Sequence, residues 1–565
     1  MNTWRLSTLL AVCMSTGILA LSGVPARAQL PDSTQATSTI NFGIRKSVIQ
    51  EIGAGRGDVN APDSSVFIIS RDPFRAVQRG RQLFQRKWTR VQGQGPGVGD
   101  GVGNLNTTPG IGSGLSDSCA LCHANPPGSA GVGGSNTNRP DTRNAPHLFG
   151  VGIKEQLGDE ITADLRNIQA AAVAEARATG HTVTKPLISN RVLQFTHDED
   201  DEDNDRGPGK RPAEGALNYG SITAHPDGTV DTSGIEGCTS DPSVPCAIER
   251  SLRVNVFGWQ GNRSSLREFV GGPVPNEVLG LIMEDTDLAA ACTPGTSPSR
   301  TPAGARVVTP AGKVLDGTTD LFDCPPTAAP EQPVALVDYL EFYLLHYFKP
   351  GSYEQTPFTE QGRWTFKKIG CARCHVLDLQ LNHDRRVADV ETVFDPVNGI
   401  FNRLFATAIP LFNAVSDGTG FPDRKVPKGG PFTVRNIGTD FKRHDLGPNF
   451  WERNYDGTIR TKIKTPEMWG VGSTPHYGHD GRSINLTEVI LRHGGEAQRE
   501  RDAFAALSPP VQGAVLDFLN SLIIFSPPNT ASNLDPANRS AANFPQVGHG
   551  SIRLQTLFNN PADPE

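Results

Sequence analysis

The sequence predicts a mainly α protein made of two related domains with long irregular loops. Three observations predict it. The pattern Cys-x-x-Cys-His occurs twice, at residues 119–123 and 371–375. Each copy follows a Gly-Arg-x-x-Phe pattern at helical spacing: Gly80, Arg81 and Phe84 before the first, Gly362, Arg363 and Phe366 before the second. Further echoes follow each copy in the same order, so the chain reads as a duplication.

Cys-x-x-Cys-His is the attachment pattern of c-type haem, in which two thiols add across the vinyl groups and the following histidine is placed to ligate the iron. Cys119, Cys122 and His123 are expected to hold one covalently bound haem c, and Cys371, Cys374 and His375 a second. Both domains are therefore expected to be cytochrome c-like. Phe84 and Phe366 can pack against a porphyrin edge. Beyond the haem motifs, residues 145–152 (Ala-Pro-His-Leu-Phe-Gly-Val-Gly) echo residues 465–472 (Thr-Pro-Glu-Met-Trp-Gly-Val-Gly). Likewise Gly258-Trp259-Gln260-Gly261, leading to Leu266, echoes Gly478-His479-Asp480-Gly481, leading to Leu486. Without a gap, Trp259 stands opposite His479 and Glu268 opposite Glu488. Both stretches read as a glycine-bounded turn entering an amphipathic helix.

With 565 residues the chain can bury a sizeable core without staples. Its 60 glycines and 44 prolines announce loops, and a net charge of −7 gives no footprint for nucleic acid. Residues 1–28 read as an export signal: Arg5, a mostly apolar run over 9–21, then Ala26-Arg27-Ala28 as a small-x-small cleavage site. A periplasmic or secreted location follows. No later run is long and apolar enough for a transmembrane segment. The expected organisation is an N-terminal extension over 29–66, haem domains over 67–330 and 331–528, and a tail over 529–565. The segment 334–348 is expected to be a helix linking the two.

Cys238, Cys246, Cys292 and Cys324 remain after haem attachment and read as two disulfides, with three pairings open and the local ones favoured. The Gly-rich stretch 91–114 reads as an irregular loop. The acidic run 198–205 has two readings. Carboxylates at alternate positions could wrap calcium, or the run is a solvated charged loop.

Axial ligands decide between chemistry and electron carriage, since an iron capped on both faces relays electrons while an open one can bind peroxide or oxygen. His493 follows the second turn-helix echo and is placed to cap the second haem. Its repeat counterpart, Pro273, cannot ligate. His147 is a competing cap for the first haem, although its repeat partner is Glu467. His346 reads as a packed histidine, and His479 as lining the second haem pocket or bonding a propionate. Met283 and Met468 read as core before thioether ligands.

On these residues the chain resembles the di-haem oxidoreductase family, related to bacterial di-haem cytochrome c peroxidases and more distantly to rubber oxygenase. The resemblance spans roughly residues 70–525 and rests on Ser118 to His123, Phe257-Gly258-Trp259, Gly370 to His375, His479-Asp480-Gly481-Arg482 and His493 to Ala497. It implies that Trp259 lies between the haems and that Glu277, after a two-residue gap, is the acid/base on the open face of the first. His493 stands where the peroxidases place Met, which implies a lower potential for the second haem. Their resting-state distal histidine falls at Arg139. The resemblance implies an exported, peroxidase-like enzyme that reacts peroxide or oxygen at the first haem. Electrons would reach it through the bis-His haem from a small donor such as a cytochrome c. Two alternatives stay open: a non-catalytic electron carrier closed by His147, and oxygen-dependent cleavage of an apolar substrate.

Overall fold

Apart from short interruptions, the computed structural model describes residues 60–86, 118–136, 143–193, 217–236, 251–271, 307–315, 334–401 and 409–524. Of these, 40% are helical and 21% lie in strands gathered into several small sheets, which overturns the mainly α, two-cytochrome expectation. The strands come from the connections between motifs, which the motif pattern left as loops. There, β-branched residues are punctuated by turn formers, as in Val183–Ser189 (Val-Thr-Lys-Pro-Leu-Ile-Ser).

Two helix pairs carry the haem motifs. Helix α1 (Pro73–Gln85) begins at an Asp72 cap that accepts from the Arg75 amide at 3.2 Å, with proline in its first turn. It packs across α2 (Val334–His346) at Gly80, where a Cβ would lie 2.1 Å from the Tyr339 carbonyl oxygen. Helix α3 (Pro357–Lys368), opened by a Thr356/Thr359 capping box, crosses α4 (Pro509–Ser521) at Gly362, where a Cβ would lie 1.9 Å from the Ala514 oxygen. Any side chain at either crossing would push the helices apart. The aromatic of each motif then meets one from its partner: Phe84 with Tyr343 at 5.7 Å, Phe366 with Phe518 at 5.9 Å. The segment expected to link the halves is thus the packing partner of the first half's own helix.

The helix Val151–Thr179 runs between left-handed glycines, Gly150 and Gly180. Ile153, Leu157, Ile161 and Leu165 recur at four-residue spacing and are fully buried, each contributing about 1.5–3 kcal/mol. This face covers a three-stranded antiparallel sheet, Val183–Ser189, Leu217–Ala224 and Val230–Asp231. Tyr219 in the central strand donates to the Asp440 carbonyl at 3.1 Å, fastening this sheet to the later chain. The larger core also takes Leu379, Leu381, Val434, Phe441 and Trp469, so it draws on both sides of residue 331. A smaller core gathers Phe366, Leu377, Met468, Leu486, Phe504 and Phe518.

The turn echoes fold alike. Gly258 and Gly478 have φ of 75° and 85°, Gly261 and Gly481 of 55° and 64°, so both turns need glycine at both places. Phe257 bridges Arg263 as Tyr477 bridges Ser483. Among the described residues no helix is long and apolar enough to cross a membrane.

Candidate functional site

Each Cys-x-x-Cys-His forms one tight turn. Ser118 caps the first, accepting from the Leu121 amide at 3.2 Å, and the His123 amide returns to the Cys119 carbonyl at 3.2 Å. Gly133 presses directly on the Cys122 carbonyl, where no Cβ could fit. The second turn begins at left-handed Gly370, and the His375 amide returns to the Cys371 carbonyl at 3.0 Å. The turn sets both thiols and the histidine on neighbouring positions. No disulfide joins any of these four cysteines.

The two histidines are held in the same way. His123 Nδ1 donates to the Pro146 carbonyl at 2.7 Å, and His375 Nδ1 to the Gly438 carbonyl at 2.9 Å. Phe84 lies 6.3 Å from the first ring and Phe366 6.2 Å from the second. A carbonyl on Nδ1 fixes the tautomer and leaves Nε2 as the ligating nitrogen. Burial lowers both pKa values, which keeps the rings neutral as iron requires.

The candidate caps differ. His493 ends the helix Leu486–Arg492, where its Nδ1 donates to the Val489 carbonyl at 2.7 Å. Burial, with the nearby His375, lowers its pKa to about 4, so its Nε2 is also an unprotonated donor to metal. His147 uses one nitrogen: its Nε2 donates to the Trp469 carbonyl at 2.6 Å, and its buried Nδ1 makes no hydrogen bond among the described residues. It is also adjacent to Pro146, which holds His123 from behind. His346 is core, with Nδ1 on Phe342 O at 2.8 Å and Nε2 accepting from the Val387 amide at 3.1 Å. Met468 packs under Gly438, on the carbonyl side of His375. Glu277, Pro273, Met283, Arg139, the four remaining cysteines, the signal and the acidic run lie outside the described residues.

Trp259 donates its indole N–H to the Asn144 carbonyl at 2.9 Å. Its ring stands 6.4 Å from His479, which stands 6.3 Å from Phe450, itself 5.2 Å from His493. The repeat partners Trp259 and His479 therefore face one another, and a packed aromatic line runs from them to His493. Burial holds His479 neutral, with a pKa of about 4.

Two clusters lie outside the sequence motifs. His444 sits between Asp440 and Glu496, each 2.8 Å from one ring nitrogen, and its ligand atoms also approach Cys374. Cys374 belongs to the haem motif, so this is the motif's support and no separate metal centre. The second cluster surrounds buried Glu452, which takes Arg143 at 3.0 Å and Arg460 at 3.4 Å. The His444-Asp445 pair, lying between haem motif and turn echo, was a readable signal. Glu452 offered none.

Compared with known protein families, residues 432–522 match the family described as "Di-haem oxidoreductase, putative peroxidase". Comparison with curated proteins gave no match. The family implies haem cofactors and a small substrate such as peroxide. The site residues fit that group: two thiols outside any disulfide in each turn, histidines with Nδ1 occupied, and an aromatic beside each.

Proposed function

We propose, from the match of residues 432–522 to the di-haem oxidoreductase family, that the chain is an exported, peroxidase-like enzyme. It would hold one covalent haem c at Cys119, Cys122 and His123 and another at Cys371, Cys374, His375 and His493. Peroxide or oxygen is reduced at the site of His123. Electrons enter at the site of His375 and His493 from a small donor such as a cytochrome c. When bound, haem supplies the redox-active iron.

The observation that carries this reading is the inequality of the histidines. His493 keeps an unprotonated Nε2 and lies near His375. His147 gives its Nε2 to the Trp469 carbonyl, keeps only Nδ1, and adjoins Pro146, whose carbonyl holds the edge of His123 away from Nε2. The chain's own residues do the rest. Pro146 and Gly438 orient the proximal rings, and the packed line through Phe450 and His479 gives electrons a route to Trp259. Close packing, by excluding voids, favours such a route.

The optical and EPR spectra of the purified ferric protein test it. One high-spin and one low-spin signal are expected, and His147→Ala should leave both in place. Two low-spin haems, one of which turns high-spin in His147→Ala, would instead make the protein an electron carrier.

Glu277 remains the proposed acid/base. A positioned carboxylate that moves the proton between peroxide oxygens is worth about 10²–10⁴-fold. Glu277→Gln should therefore lower peroxide turnover by at least ~100-fold with unchanged spectra. Turnover at the parent rate would remove Glu277 from the chemistry.

A further inference from the structure

The helix that leads into His493 ends on Arg492, whose guanidinium reaches three other segments. Its Nη2 donates to the Asp480 carboxylate and to the Asn449 carbonyl, each at 2.9 Å. Its Nη1 donates to the Ser483 hydroxyl at 2.8 Å. The guanidinium carbon stands 4.5 Å from the centre of the Phe450 ring. Left-handed Gly478 leaves room for this arrangement, since a Cβ there would lie 3.0 Å from Nη1.

Phe450 is buried at the end of the short turn Pro448–Phe450. Two histidine rings flank it, His493 at 5.2 Å and His479 at 6.3 Å. Asp480 belongs to the turn of His479, and Asn449 to the turn of Phe450. One side chain therefore ties both turns to the helix of His493. The His493 ring itself has one tether, from Nδ1 to the Val489 carbonyl at 2.7 Å. A single hydrogen bond tolerates a broad range of angles, so the packed face of Phe450 supplies a second restraint on the imidazole plane.

An arginine in the last turn of a helix can also serve only to answer the helix dipole. That use needs no aromatic ring and no partner in another segment, and lysine meets it as well. The duplication separates the two roles. Aligned with the first half, Arg492 stands opposite Gly272, Asp480 opposite Gln260 and His493 opposite Pro273. The ion pair and the histidine are present together in one half and absent together from the other. A pair that merely stabilised the turn would belong to both halves, because the two turns fold alike.

We propose that Arg492, braced by Asp480, is a positioning residue for the second iron: it clamps Phe450 against His493 and so sets the plane in which this imidazole meets the metal. The proposal rests on His493 capping the haem of residues 371–375 and adds what holds the cap in one orientation. In a low-spin ferric haem with two imidazole ligands, the angle between the ring planes governs the EPR g-values. Ligand orientation is thereby open to direct measurement.

EPR spectra of the ferric holoprotein and of Arg492→Ala, Arg492→Lys and Phe450→Leu test it. Arg492→Ala should shift and broaden the low-spin signal of the second haem at unchanged haem content. Phe450→Leu should move the signal the same way. The double variant should move it no further than the larger single change, because both act through one contact. Arg492→Lys should shift it too, since one ammonium can answer Asp480 but cannot also hold Asn449 and cover the ring. A parent signal in Arg492→Ala would overturn the proposal, as would additive shifts in the double variant. A parent signal in Arg492→Lys would reduce the residue to a charge at a helix end and overturn it equally, which decides the matter should Arg492→Ala fail to fold. His493→Ala keeps the two failures apart. If its low-spin signal survives, the capping role and this proposal fall together. If that signal is lost while Arg492→Ala keeps the parent's, this proposal alone falls.

Discussion

Replacing His493 by alanine is expected to convert the second haem from low to high spin, and replacing it by methionine to keep it low-spin at a raised potential. The geometry behind this is unusually well braced for a loop ligand. Asn485 caps the preceding helix, accepting from the Glu488 amide at 2.8 Å, and the Glu488 carboxylate returns to the Ile484 amide at 2.9 Å. His493 follows directly, its ring tethered to Val489 O and packed on Phe450, and the Gly494 amide is fixed to Leu446 O at 2.9 Å. A ligand so positioned loses little freedom when it binds iron, so its removal is not repaired by a neighbour. Axial ligand identity spans haem potentials over roughly 0.8 V, and methionine lies on the high side of histidine. Magnetic circular dichroism reads the spin change and a redox titration the shift. A low-spin second haem in His493→Ala would place the cap elsewhere.

The parts of this site that were legible in the sequence are those fixed by local covalent or turn geometry. Cys-x-x-Cys-His closes its own turn, so its residues come together whatever surrounds them. The glycines of the turn echoes are legible for the same reason: left-handed φ at 258, 261, 478 and 481 excludes other residues. The helix crossings at Gly80 and Gly362 were half legible. The motif gave the helices, but the partner helices lie far along the chain, and the first of them looked like a connection because only its apolar spacing shows locally.

What stayed hidden depends on contacts between distant segments. His147 has ligand chemistry in sequence, yet its fate is decided by a carbonyl 322 positions away. The small sheets were missed because two- and three-residue strands carry too few side chains for an alternating pattern to be counted. Their register is set instead by neighbours: the strand Arg443–Asp445 turns Arg443 toward the Trp259 turn and His444 toward Cys374. One residue of slip would exchange them.

That alternation makes His444 the site's structural keystone, and its replacement the largest expected loss of stability. Both ring nitrogens donate to carboxylates, which only the imidazolium can do. Burial opposes the charge, but the ion pair with Asp440 outweighs it and raises the His444 pKa to about 12. Burial likewise opposes ionisation of Asp440, and the pair with His444 outweighs it, lowering that pKa. His444→Ala leaves the Asp440 carboxylate buried without its cation, a change that costs about 3–5 kcal/mol. It also frees Glu496, three residues beyond His493. Asp440→Asn combined with His444→Gln should recover part of the loss, because no charge is then stranded. The sign with pH follows from the raised histidine pKa. Its contribution is complete below the unfolded value near 6.5 and is lost as pH climbs toward 12, since the folded state holds a proton the unfolded state has released. Stability should therefore fall on the alkaline side by up to ~1.4 kcal/mol per pH unit from this group. Denaturant titrations from pH 6 to 10 should show that slope in the parent and its flattening in His444→Gln. Parallel curves for the two would mean that His444 is neutral in the fold and that its two short contacts are not an ion pair.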